Sequence, residues 1–131
     1  MADGARKPRV LIIEDEDNIA LALDFLMSRE GFEPARLATG AGAIERIRRE
    51  HPDLVLLDVM LPDVSGYEIC QEVRADADLA DVRILLMTAR GSALERRKGL
   101  ALGADGFIAK PFEISELRGE VHRLLGAGDG G

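Results

Sequence analysis

Apolar and polar residues fall in blocks along this chain. Apolar-rich runs at 9–14, 32–38, 53–58, 82–88 and 106–109 are separated by stretches where apolar residues recur every three or four positions. Four of the runs contain nearly continuous apolar segments, VLII, LVLL, ILLM and FIA. Such segments suit parallel strands covered on both faces, where neither side needs to be polar. The second run, FEPARLA, carries Pro34 and two charges. Proline has no N–H to give a central ladder, so this strand is predicted at a sheet edge.

The intervening stretches have helical spacing. Ile19, Leu23, Leu26 and Met27 share one face of a first helix, with Asp17 as the expected N-cap and Gly31 closing it. Ile44 and Ile47 mark a second helix that should end before His51–Pro52, because the residue before a proline avoids helical angles. Ile69, Cys70 and Val73 mark a third, Leu94 with Leu100 a weaker fourth, and Ile114, Leu117, Val121 and Leu124 a fifth. Strands and helices in strict alternation predict an α/β doubly wound sandwich. An edge position for the second strand fits a parallel five-stranded sheet of order 2-1-3-4-5.

Composition narrows the class. The 131 residues are 47% hydrophobic and 31% charged, as expected of one globular domain, here placed at 9–125 between a tail at 1–8 and a flexible Gly-rich tail at 126–131. The net charge of −7 argues against direct nucleic-acid binding, since a phosphate backbone demands a basic face. No apolar run approaches the roughly 20 residues needed to cross a bilayer, and MADGARKPR has no secretory h-region. The single cysteine, Cys70, cannot form an internal disulfide. A cytoplasmic location is therefore expected.

The polar residues that end the strands carry the chemistry. The first strand ends in Glu14 and Asp15, the third in Asp58, the fourth in Thr88 and the fifth in Lys110. A parallel sheet brings all of them to one edge, where ligands of such folds bind. Carboxylates about 4 Å apart repel by on the order of 1 kcal/mol in water and about 4 kcal/mol at an effective dielectric of 20. A divalent cation removes that cost. Hard oxygen donors without a His or Cys cluster favour Mg2+ over zinc. A carboxylate beside a metal and a lysine also suits phosphoryl transfer, with Asp as the acceptor.

The motifs IIEDED, DLVLLDVMLPDVSG, LLMTAR and GADGFIAKPF resemble the receiver domain of two-component response regulators, in order and spacing, over about residues 9–125. The resemblance, closest in kind to stand-alone chemotaxis receivers, implies a flavodoxin-like (βα)5 fold. It implies that Asp58 accepts a phosphoryl group from a sensor histidine kinase or a histidine phosphotransfer protein. Asp15, Asp58 and the Met60 backbone carbonyl would hold Mg2+, with Glu14 helping through water, and Lys110 would pair with the phosphoryl group. Thr88 and Phe107 would turn inward as switch residues and reshape the face made by the fourth helix, fifth strand and fifth helix, where a downstream protein binds. Pro62 and Gly66 would shape the loop after Asp58, and the Lys110–Pro111 bond is often cis in this family. The domain would catalyse only its own phosphorylation and dephosphorylation, acting on no free substrate, as a monomer or a phosphorylation-dependent dimer. Glu14 stands where many members have aspartate, and Phe107 where many have tyrosine. Arg96–Arg97–Lys98 makes the fourth helix more basic than in many relatives.

Other readings stay open at this stage. The chain could be a receiver excised from a larger regulator. A flavin or nucleotide binder of the same fold would want glycines and hydroxyls after the first strand, where this chain has four carboxylates. An aspartyl-phosphate phosphatase would want a second Asp at the position of Met60. Cys70, His51 and His122 are read as structural, and Glu16 and Asp17 as serving the start of the first helix.

Overall fold

The computed structural model describes residues 6–89 and 91–126. The first five residues of the expected N-terminal tail, Arg90 of the LLMTAR motif and residues 127–131 of the expected Gly-rich tail lie outside the described residues. The order of elements is β1 (Arg9–Ile13), α1 (Asp17–Arg29), β2 (Glu33–Leu37), α2 (Ala43–Glu50), β3 (Leu54–Asp58), α3 (Gly66–Ala75), a 3-10 turn (Ala77–Leu79), β4 (Arg83–Thr88), α4 (Ala93–Ala101), β5 (Gly106–Ala109) and α5 (Ile114–Leu125). All strand pairs are parallel, in the order β2-β1-β3-β4-β5. The strand carrying Pro34 is an edge, as its composition requires.

The continuous apolar runs are explained by two cores. Side chains alternate across each strand, so Val10 and Ile12 enter one core with Leu23, Met27, Leu117 and Val121 of α1 and α5. Leu11 and Ile13 enter the other, with Ile47, Ile69, Cys70 and Val73 of α2 and α3. A strand buried on both sides has no polar face to show. Burial lifts the Cys70 thiol to about 11, which suits a packing residue rather than a nucleophile.

The helix signals held where packing decided them. Gly31, at φ +91°, follows the Glu30 C-cap of α1, and the Phe32 N–H returns to the Met27 carbonyl at 3.0 Å. α2 ends at Glu50, and His51 turns left-handed before Pro52. Two expectations need correction. The N-cap of α1 is Glu16, without a side-chain cap bond, while Asp17 already lies in the first turn and pairs with Arg36. The leucines that marked α4 do not face the core: Leu94 is 68% and Leu100 40% exposed. α4 seats instead through buried Gly99, where an added Cβ would press on Leu86 and Phe107. Its start is set by Ser92, whose hydroxyl accepts the Glu95 N–H at 3.1 Å.

Candidate functional site

Parallel strands end together, and the predicted residues meet at that edge. Oxygens of Glu14, Asp15 and Asp58 lie within 4.8 Å of one another. Glu14 is fully buried, Asp58 is 2% exposed and Asp15 is exposed. Lys110 reaches across from the end of β5, its Nζ 3.0 Å from Glu14 Oε1 and 3.3 Å from Asp58 Oδ2. The other oxygens are also engaged: Glu14 Oε2 accepts the Glu16 N–H at 3.0 Å, and Asp58 Oδ1 the Met60 N–H at 3.2 Å. Thr88 is 1% exposed, and its carbonyl accepts the Lys110 N–H at 2.7 Å, which ties the lysine to the end of β4. The Lys110–Pro111 bond is cis.

Burial, then the nearby charge of Glu14, pushes the Asp58 carboxyl up to about 6, against the opposing pull of Lys110 and the Met60 N–H. Burial disfavours the Lys110 ammonium, but the Glu14 hydrogen bond and the Asp58 charge outweigh it and raise that group. Among the described residues the site thus holds three carboxylates against one ammonium. A donor set of carboxylate oxygens, with neither His nor Cys, fits Mg2+.

The loop after Asp58 is shaped by close packing. A Cβ on Gly66 would collide with the Asp58 carbonyl oxygen, so only glycine lets α3 start there. Phe107, expected to swing inward, already lies inside at 5% exposure.

Sequence reasoning missed three residues around the site. Asp63 accepts the N–H groups of Gly40 at 2.9 Å and Ala41 at 2.8 Å, which binds the Asp58 loop to the loop before α2 and holds the Asp63 carboxyl low. The Tyr67 hydroxyl donates to Glu95 Oε1 at 2.5 Å and joins α3 to α4, while Lys98 lies 4.5 Å from the ring centroid. Burial and Glu95 lift the Tyr67 hydroxyl to about 12. Arg36 donates Nε and NH2 to the Glu14 carbonyl. The hydrogen-bonded partners are 22 to 28 positions apart, beyond the reach of local patterning. Of the histidines, read above as structural, His51 pairs with Asp81 and His122 with Glu30.

Two hollows adjoin the crevice. One, of about 370 Å³, is lined by the loop after Asp58, Tyr67, Thr88, Glu95 and Lys98. The other is a largely apolar groove of about 880 Å³ between α1 and α5, running from Phe25 and Ile114 up to Lys110.

Known proteins agree with this geometry. The family described as "Response regulator receiver domain" matches residues 10–122. The phosphate regulon transcriptional regulatory protein PhoB of Rhizobium meliloti is 39% identical over 118 residues, covering 90% of this chain and 52% of that protein. The sensory transduction protein RegX3 of Mycolicibacterium smegmatis is 40% identical over 119 residues, 91% of this chain and 51% of that one. The chain thus spans about half the length of these curated relatives. Chemotaxis protein CheY4 of Vibrio cholerae superposes with a TM-score of 0.83 at 27% identity, covering 91% of this chain and 99% of the other.

Proposed function

This chain belongs to the response regulator receiver family of two-component systems, and from that premise we propose that it is switched by phosphorylation of Asp58. The observation that carries this reading is the buried Asp58 carboxylate, set against Lys110 and two further carboxylates at the strand edge. Near neutral pH the Asp58 carboxyl, whose pKa is about 6, is mostly ionised and so nucleophilic. A lone pair on an Asp58 oxygen attacks the phosphorus of a phosphohistidine. The P–O bond forms as the P–N bond breaks, and the imidazole leaves with the electron pair. Lys110, already within 3.3 Å of Asp58 Oδ2, would pair with the transferred phosphoryl oxygens. Glu14, Asp15, Asp58 and the Met60 carbonyl would hold Mg2+, which when bound neutralises carboxylate and phosphoryl charge. Return of the phosphoryl group to water closes the cycle, so the domain acts on itself and on no free substrate.

The protein phosphodonor docks in the α1–α5 groove. That groove ends at Lys110, so an occupant lies beside Asp58, and its exposed Phe25 and Ile114 offer apolar purchase. Thr88 and Phe107 carry the change to the face of α4, β5 and α5, where exposed Leu94 and Leu100 await a protein target.

One experiment tests the reading. With Mg2+ and acetyl phosphate, intact mass should show one phosphoryl group on the wild-type chain and none on Asp58→Asn. Phe25→Asp should keep this uptake yet slow transfer from a phosphorylated histidine kinase. No gain by the wild type, or an equal gain by Asp58→Asn, sinks the acceptor assignment. Unimpaired kinase transfer to Phe25→Asp sinks the docking site.

A further inference from the structure

Four carboxylates, Glu14 to Asp17, follow β1 without a break, yet only Glu14 and Asp15 join the cluster around Asp58. Something must sort them. Arg36, on the edge strand β2, donates Nε at 3.0 Å and NH2 at 2.8 Å to the Glu14 carbonyl oxygen. The same NH2 lies 3.0 Å from Asp17 Oδ1. The Glu14 N–H donates to the Leu37 carbonyl at 3.1 Å. Both backbone groups of Glu14 are therefore anchored to β2, and the peptide plane that leads into Asp15 is fixed. Asp17 is held on the outer side of this clamp, its side chain 89% exposed, so it does not crowd the crevice with a fourth charge. The planar guanidinium suits the task, since it can serve a carbonyl and a carboxylate at once, whereas an ammonium is a single point charge.

We propose that Arg36 is a positioning residue of the metal-binding crevice: it divides the acidic row, aiming Asp15 at Asp58 and keeping Asp17 outside. Arg36 touches none of the reacting atoms and acts through the Glu14–Asp15 backbone. The proposal rests on the reading of Glu14, Asp15 and Asp58 as the Mg2+ site of a phosphoacceptor.

The test is Mg2+ affinity, measured by calorimetry without phosphodonor, on the full chain and its variants. Arg36→Leu should weaken Mg2+ binding about tenfold, the lower end for partners that orient metal ligands, and Arg36→Lys should recover part of it, to roughly threefold. At saturating Mg2+, the acetyl phosphate rate should return to within about twofold of wild type in both variants, because only ligand placement is disturbed. An Arg36→Leu chain that keeps its far-UV spectrum and binds Mg2+ like the wild type overturns the proposal. So does a rate loss that persists at saturation. If Arg36→Leu does not fold, Arg36→Lys decides: weakened binding supports the clamp, and unchanged binding overturns it. A wild-type chain that binds no Mg2+ overturns the site reading itself, whereas equal binding by wild type and variant overturns this inference alone.

Discussion

The two ends of the sheet treat charge in opposite ways. At the amino ends of the strands, Asp53 and Asp105 each meet both a cation and an N–H. Asp53 takes the Arg9 N–H at 2.8 Å and the Arg6 guanidinium at 3.2 Å. Asp105 takes the Ile84 N–H at 2.8 Å and Arg74 at 2.6 Å, and Arg74 also serves the carbonyls of Gly103 and Val82, each at 2.7 Å. At the carboxyl ends, Glu14, Asp15 and Asp58 have one lysine among them, counting the described residues. Balanced charge at the first end pins loops to strands. Unbalanced charge among the described residues at the second leaves an electrostatic demand that a cation would meet.

The sharpest way to break this comparison is to unbalance the closed end. Arg74→Ala strips the part-buried Asp105 carboxylate and the carbonyls of Gly103, Leu79 and Val82 of a shared donor, and should cost about 3 kcal/mol of stability in urea denaturation. Phosphoryl uptake at Asp58 should survive. If the folded variant loses uptake, the two ends are not separate in function.

Next in size is a pH effect. The Asp58 carboxyl titrates near 6 in the folded chain against an ordinary value of 3.8. Between those values the folded state keeps a proton that the unfolded state releases, so stability falls as pH rises through this window. The full contribution, complete above pH 6, is on the order of 3 kcal/mol. Asp76 works in the opposite sense. Arg48 holds it low, so the stability it adds is lost as pH falls below the ordinary carboxylate range. Without Mg2+, Asp58→Asn should therefore remove the decline and be the more stable chain at pH 7. Parallel curves for wild type and variant would show that the crevice carries no such strain.

The smallest effect is metal binding itself. Mg2+ at ten times its dissociation constant should stabilise the chain by about 1.4 kcal/mol. The same increment should appear on top of the Arg74→Ala deficit and vanish in Asp15→Asn. An undiminished increment in Asp15→Asn would move the metal elsewhere.

How much of this was legible in the sequence depended on the range of each interaction. Strand identity, strand order and the meeting of Glu14, Asp15, Asp58, Thr88 and Lys110 followed from apolar runs and from the rule that parallel strands end at one edge. Pro34 marked its own edge because a missing N–H is a local fact. Residues whose role depends on a partner far along the chain gave no such sign. Asp63 stood in a quoted motif without a role of its own, and the fold brings Gly40 and Ala41 to it. Arg36 was only one of two charges in the second run. Leu94 and Leu100 misled for a related reason: helical spacing shows that two residues share a face, but not that the face is covered. For α4 the covered residue was a glycine, which a hydrophobic pattern passes over. Asp17 was misplaced by one position because Glu16 starts the helix without any side-chain cap.

The edge strand β2 also bears on how copies of this chain behave at high concentration. The Glu33 N–H and the Leu37 carbonyl turn toward β1 and its flanks, so the peptide groups of residues 34 and 36 point to the open side. One of those two is a proline, which leaves the Arg36 N–H as the lone donor there. A neighbouring molecule trying to extend the sheet finds half its ladder missing and a charged side chain beside the gap. The residue that first marked β2 as an outer strand thus also guards the chain against strand-by-strand aggregation.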